Sequence, residues 1–163
     1  MFTNSQFQNP SEEIVPSTAN SLLKLVVFEV GKLTLALAIE QVKKVVKYTS
    51  VYGSGLSHIN LTHLDNREVT IVDLEHKLFK HSQIERNNFN GYFIITKDIV
   101  GESIGILVSK MPILIDVPLS QIRLLPASYR HSDTLEIASH VTLITKENSP
   151  SVTIFILDLD RLI

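Results

Sequence analysis

Short runs of strand-forming residues follow one another from Leu22 to the C-terminal end of the chain. Within residues 33–39, leucines at positions 33, 35 and 37 alternate with threonine and alanine, which is typical of a strand with one large apolar face. About nine or ten such runs recur at regular spacing with turn residues between them, and this pattern predicts an all-β barrel or sandwich. The clearest runs cover residues 22–30, 33–39, 92–96, 102–108, 113–117, 137–145 and 152–157.

Turn residues predict two hairpins and a division of the strands into two groups. Gly31-Lys32 suits a two-residue type II′ turn, because glycine adopts the positive φ of the first turn position. Asp65-Asn66 predicts a second hairpin, since asparagine tolerates positive φ. The polar stretch at 80–90 interrupts the apolar pattern. The sequence therefore predicts two small barrels with a rough midpoint at that stretch.

Two segments depart from the strand pattern. Residues 39–46 carry apolar side chains at positions 39, 42, 45 and 46, which is the spacing of a helical stripe. Residues 51–57 contain two glycines and are predicted to form a loop. We therefore expect a short helical turn after the second strand and an irregular connection after it.

The composition fits a soluble globular protein and gives no sign of nucleic-acid binding. Hydrophobic residues make up 44% of the chain and charged residues 20%, which is ordinary for such a domain. The formal net charge of −2 does not provide the basic surface that a nucleic-acid-binding protein carries. The absence of cysteine favours a reducing compartment.

The first twenty residues differ from the rest of the chain. Residues 1–20 are rich in Ser, Thr, Asn, Gln and Pro, so they are predicted to form a disordered N-terminal tail. They lack the basic and apolar regions of a secretory signal. A membrane helix needs about 18 apolar residues, and no uncharged apolar run in the sequence approaches that length. We therefore expect a cytoplasmic protein without direct membrane insertion.

The sequence contains no recognisable set of a nucleophile, a base and an orienting group. We therefore expect that the protein is not an enzyme. Gly31-Lys32 lacks the earlier glycine of a phosphate-binding loop, because Val26 stands at that position. The histidines are too scattered in the sequence to have the spacing of metal ligands. The two carboxylates Asp158 and Asp160 are predicted to lie at a solvated strand end. We therefore expect no cofactor and no metal. A small-molecule-binding barrel, or an enzyme whose site is assembled only in three dimensions, stays open.

Several segments, taken in order, resemble the CheW family of chemosensory adaptors. Residues 36–45 are similar to the family's "Ile-x-x-Val-x-Glu-Val" segment. Residues 60–74, which end in Thr-Ile-Val-Asp-Leu, resemble its "Asn-Leu-Arg-Gly" signature with the closing "Asp-Leu". Later family segments are matched by residues 103–108, 118–122 and 156–163. The resemblance covers residues 22–163, and its specificity lies in the ordered combination of these segments.

This resemblance implies a fold and a function. The fold is two packed five-stranded SH3-like β-barrels with a short helical turn or two, intertwined over residues 21–163. The function is that of a non-catalytic scaffold that couples chemoreceptor cytoplasmic tips to the regulatory domain of a CheA-type histidine kinase. Recruitment to membrane-associated receptor arrays would follow. The alternative is an adaptor for pilus-driven or light-directed motility, or a diverged relative that no longer binds a kinase.

The departures from the family pattern point to a reversed charge pair. The family's glutamate and arginine correspond to Lys44 and Asp65, so both signs are inverted, and Asn66 replaces the turn glycine while keeping its positive φ. An inverted pair would select a partner of matching polarity. Drift at an idle position, and core packing of the apolar residues, are the alternatives. The partner-binding residues implied are Ile39, Val42, Lys44, Val46, His63, Asp65 and Asn66.

Overall fold

The computed structural model describes residues 21–56, 58–84, 89–97, 101–130 and 135–162. The predicted disordered tail at 1–20 lies outside these residues. The strands are β1 Leu22–Val30, β2 Leu33–Ala38, β3 Val42–Lys47, β4 Tyr52–Leu56, β5 Ile59–Leu64, β6 Arg67–Val72, β7 Tyr92–Thr96, β8 Ile104–Val108, β9 Ile113–Pro118, β10 Ile122–Leu124, β11 Ala138–Ile144 and β12 Val152–Leu157. The helices are α1 Leu74–Phe79 and α2 Ala127–Arg130, with 3-10 turns at Ile39–Gln41, Leu119–Gln121 and Leu159–Arg161.

The strands form two six-stranded sheets. Sheet 1 has the order β10-β11-β12-β2-β1-β9, and sheet 2 has the order β3-β7-β8-β6-β5-β4. The all-β prediction with two packed, curled sheets is therefore confirmed, with six hydrogen-bonded strands in each sheet where five were expected. The chain passes from sheet 1 to sheet 2 after β2 and returns after β8. The stretch at 80–90 connects two strands of the same sheet.

The two sheets share one arrangement of strands. In each sheet one pair is parallel, β6 with β8 in sheet 2 and β12 with β2 in sheet 1. The equivalent buried threonines make equivalent bonds: Thr62 donates to the Ser50 carbonyl at 2.8 Å, and Thr142 donates to the Gln121 carbonyl at 2.9 Å. The fold therefore contains a structural repeat in which each half of the chain contributes strands to both sheets.

Three apolar clusters hold this arrangement together. The largest lies between the sheets and includes Phe28, Leu37 and Ile106. A second fills the curl of sheet 1, around Leu25. The third fills the curl of sheet 2, around Phe93. Because the largest cluster takes residues from both sheets, neither sheet buries its apolar surface alone.

The helical prediction for residues 39–46 is wrong beyond the first turn. Only Ile39–Gln41 is helical, as a 3-10 turn, and β3 begins at Val42. The pairing of β3 with β7 shifts register between Val42 and Lys44. This bulge puts Val42 and Val45 on the face toward the inter-sheet cluster, so a strand reproduces the three-residue spacing of a helix.

The loop predicted at 51–57 is also wrong, because residues 52–56 form β4 at the edge of sheet 2. Its pairing with β5 shifts register between Gly53 and Leu56, and a strand interrupted in this way lacks the regular alternation from which strands are predicted. Asp158 directly follows β12, and its side chain caps the 3-10 turn Leu159–Arg161, so Asp160 lies in that turn and not at the predicted strand end.

Both predicted hairpins are confirmed. Gly31 has φ of +58° between β1 and β2, and the adjacent Val30 and Leu33 are paired, as a type II′ turn requires. Asp65 and Asn66 have φ of +52° and +64°, so the β5–β6 turn is of type I′.

Candidate functional site

The predicted charge pair is present at the open end of sheet 2. The Lys44 ammonium on β3 donates a hydrogen bond to an Asp65 carboxylate oxygen in the β5–β6 turn. The Asp65 side chain is 74% exposed and that of Lys44 is 39% exposed. The hydrogen bond and the positive charge of Lys44 together lower the pKa of the Asp65 carboxyl below its usual 3.8, with a smaller contribution from Lys43. The Asp65 carboxylate is therefore ionised at neutral pH, and the pair is accessible to a partner.

Local chemistry explains why these two residues meet. The type I′ turn places Asp65 at the tip of the hairpin, because both central residues adopt positive φ. The buried Thr62 hydroxyl donates to the Ser50 carbonyl and contacts the Thr49 hydroxyl at 3.3 Å. These bonds hold the chain after β3 against β5 and bring the two edges of the curled sheet together. The buried hydrogen bonds of Thr62 within sheet 2 therefore support the position of the Lys44–Asp65 pair.

The pair lies above an apolar and aromatic cluster. Lys44 is directly opposite Ile95 in the β3–β7 ladder, and Val46 is opposite Phe93. The Tyr48 ring packs against Phe93 at a centroid distance of 5.5 Å. Lys44 and Asp65 therefore close the open end of sheet 2, which we call the sheet 2 mouth, with a polar layer over an apolar interior.

The apolar residues of the predicted site are only partly available to a partner. Ile39 and Val42 are half-buried and pack against the cluster between the sheets. Val46 is half-buried against the cluster inside sheet 2. All three contribute to core packing, and contact with a partner stays a prediction for each of them.

The remaining predicted residues lie on the β5–β6 hairpin, beside one residue of β4 that the sequence analysis missed. His63 is exposed on β5 and faces Glu68 on β6, and Asn66 is exposed in the turn. Tyr52 is 55% exposed, and its ring centroid lies 5.9 Å from that of His63. Tyr52 escaped notice because its segment was predicted to be a loop. The available strand signal was the Val-Tyr pair that Tyr52 completes, because β-branched and aromatic residues favour strands.

The free edge of sheet 2 beside the pair is basic. Among the described strands, β3 pairs with β7 alone, and it carries Lys43, Lys44 and Lys47. The Lys47 ammonium lies 5.9 Å from the centre of the Tyr92 ring, at cation–π range. Lysines on an edge strand oppose pairing with another strand, so this edge favours side-chain recognition over strand addition.

Neither a metal site nor a membrane-spanning helix is found in the part of the chain that the structure describes. No three of its histidine, aspartate and glutamate side chains are grouped so that they could hold a metal ion. None of its helices has the length and apolar character needed to span a bilayer.

Comparisons with known proteins agree with this fold. A model of the family described as the CheW-like domain matches residues 24–163, so the chain belongs to the CheW-like family. The crystal structure of the scaffolding protein TtCheW from Thermoanaerobacter tengcongensis is similar, with a TM-score of 0.67 and 20% sequence identity. The match covers 85% of this chain and 86% of that one, and it shows a shared fold. The comparison with curated proteins gave no match. Family membership supports a scaffold or adaptor role in chemotaxis.

Proposed function

We propose that this chain is a non-catalytic cytoplasmic adaptor that couples chemoreceptor tips to the regulatory domain of a CheA-type histidine kinase. The single observation that carries the proposal is the Lys44–Asp65 pair at the sheet 2 mouth. By the family resemblance of the sequence, the pair corresponds to the two positions at which the family carries a glutamate and an arginine, with both signs inverted.

Partner choice explains the pair better than stability does. An exposed ion pair contributes little to folding, and salt weakens it further. A like-charge contact across an interface costs several kcal/mol, so an inverted pair rejects partners that match the usual polarity. We infer that the receptor or kinase of this system presents the complementary polarity to the sheet 2 mouth.

The test is binding of the purified protein to the regulatory domain of the CheA-type kinase encoded in the same genome, measured by calorimetry. Asp65→Arg replaces the pair with two positive charges, and we expect affinity to fall about tenfold or more. Adding Lys44→Glu restores an intramolecular pair of the usual family polarity, and we expect only part of the affinity to return.

A second exposed pair provides the matched control. Lys24 and Asp116 are directly opposite each other on β1 and β9 of sheet 1, with a 2.9 Å contact and about half-exposed side chains. Exchanging their charges should leave the affinity unchanged. Equal binding by the wild type and both Lys44/Asp65 variants would contradict the selecting role of the pair. Absence of kinase binding by a folded wild type would instead favour the adaptor for pilus-driven or light-directed motility, or a relative without a kinase.

A further inference from the structure

The open end of sheet 1 is the structural counterpart of the sheet 2 mouth, but its chemistry is different. In the β1–β9 ladder, Ile113 is opposite Val27 at the position that Lys44 occupies opposite Ile95 in sheet 2. An apolar residue therefore replaces the lysine. Ile113 is 57% exposed.

This end forms a groove of about 380 Å³, which we call the sheet 1 groove. Its floor is buried and apolar, and its sides include exposed Met111 and Val152. Exposed apolar surface rimmed by polar groups marks an interaction site. The occupant must therefore present apolar side chains.

The rim of the groove favours an occupant with negative charge. Lys110, Lys146 and Glu29 line the groove, and because Lys110 lies 3.5 Å from Glu29, the lining carries an excess of positive charge that is centred on Lys146. Lys146 has no acidic partner among the residues that the structure describes. The groove therefore fits a short segment that combines aliphatic side chains with adjacent carboxylates.

The chain itself contains such a segment outside the described residues, at Glu12-Glu13-Ile14-Val15. The described part begins at Ser21, whose carbonyl accepts a hydrogen bond from the Leu119 amide at 2.9 Å. Val15 lies six positions before Ser21, and an extended chain spans about 20 Å over six positions. Val27 is on the groove wall, and it lies six positions after Ser21 along β1. The segment can therefore reach the groove.

We propose that residues 12–15 dock in the sheet 1 groove of the same chain, with Ile14 and Val15 on its apolar floor and the two glutamates facing Lys110 and Lys146. A tethered ligand has an effective concentration in the millimolar range, so even a short segment competes with free partners. This proposal does not depend on kinase or receptor binding.

The test uses the absence of cysteine from the native chain, which makes introduced thiols free of background. The first full-length variant is Val15→Cys with Ile113→Cys, and its matched control is Val15→Cys with Leu114→Cys. Ile113 and Leu114 are neighbours with 57% and 56% exposure, but only Ile113 lines the groove. Circular dichroism confirms that both variants fold. Disulfide formation under mild oxidation is followed by the mobility of the monomer on non-reducing gels.

We expect the Ile113 pair to form its intramolecular disulfide at least about tenfold faster than the Leu114 pair, because docking holds the thiols together. Glu12→Lys with Glu13→Lys should remove most of this difference. Equal rates for the two pairs would overturn the proposal. So would disulfides formed mainly between chains with a rate that rises with protein concentration, since that result would assign the groove to a second copy.

Discussion

At the residue scale, Gly105 on β8 shows how closely the interior of sheet 2 is packed. A Cβ atom added there would lie 2.4 Å from the Ile71 Cδ1 atom, and Ile71 is fully buried. We expect Gly105→Ala to lower the free energy of unfolding by about 1–3 kcal/mol, because the added methyl group overpacks the core. The measurement is urea denaturation followed by circular dichroism.

The same contact supplies an internal check on this prediction. Ile71→Val removes the clashing Cδ1 atom and by itself costs about 0.5–1.5 kcal/mol. The double variant should therefore be more stable than the sum of the two single changes predicts. Gly53→Ala serves as the control, since no atom lies within 4 Å of its added Cβ. Additive costs for Gly105→Ala and Ile71→Val would show that the clash is relieved elsewhere.

At the scale of the element, α1 depends on one buried carboxylate. Asp73 is fully buried and accepts hydrogen bonds from the His76 amide at 3.1 Å, the Ser82 hydroxyl at 3.0 Å and the Gln83 amide at 3.2 Å. It thereby caps the helix and fixes the chain that follows it. We expect Asp73→Ala to cost about 2–4 kcal/mol, from the lost cap and the donors left unpaired.

Asp158 is the equivalent residue of the repeat and provides the comparison. It caps the 3-10 turn after β12 by accepting from the Asp160 amide at 3.1 Å, and it lies 3.4 Å from the Arg161 guanidinium. Asp158→Ala should cost about 0.5–2 kcal/mol, the range for a lost cap. Thermal denaturation of both variants measures the difference. Equal costs would mean that the bonds of Asp73 to Ser82 and Gln83 contribute little.

Elements were predictable from the sequence where the signal is local. Gly31 and Asn66 determine their turns through backbone conformations that few residues adopt, so both hairpins could be read directly. The β3 bulge could not, because a register shift depends on the partner strand β7. The α1 helix was missed although Asp73 followed by Leu-Glu is a start signal, since the segment is short.

The candidate site shows the same limit. Lys44 and Asp65 are 21 residues apart in the sequence. Only the family resemblance predicted that they form a pair. The sheet 1 groove was not anticipated at all. Its walls come from β1, β9, β11 and β12, which are distant in sequence and adjacent only through the crossed topology. Sites built from several strands therefore need the strand order, which hydrophobic periodicity does not supply.

At the scale of the whole molecule, the crossed strands tie the two sheets into one cooperative unit. Strands β1 and β2 need β9 and β12 as ladder partners, while β3 and β6 need β7 and β8. The cluster between the sheets also draws Leu37 from the first half of the chain and Ile106 from the second. Neither half therefore contains a complete sheet or a complete core.

This dependence predicts that the two halves fold only together. Residues 1–84 and 89–163, expressed separately, should each give poorly dispersed amide proton–nitrogen spectra, because each lacks ladder partners in both sheets. Equimolar mixing should restore the dispersion of the intact protein, since all strand partners and the shared cluster are then present. The control is the full chain carrying a protease site between residues 84 and 89, cleaved after folding, which should keep the intact spectrum. A well-dispersed spectrum from either half alone would show that its strands can pair without the other half, and the crossed topology would then not be what unites the molecule.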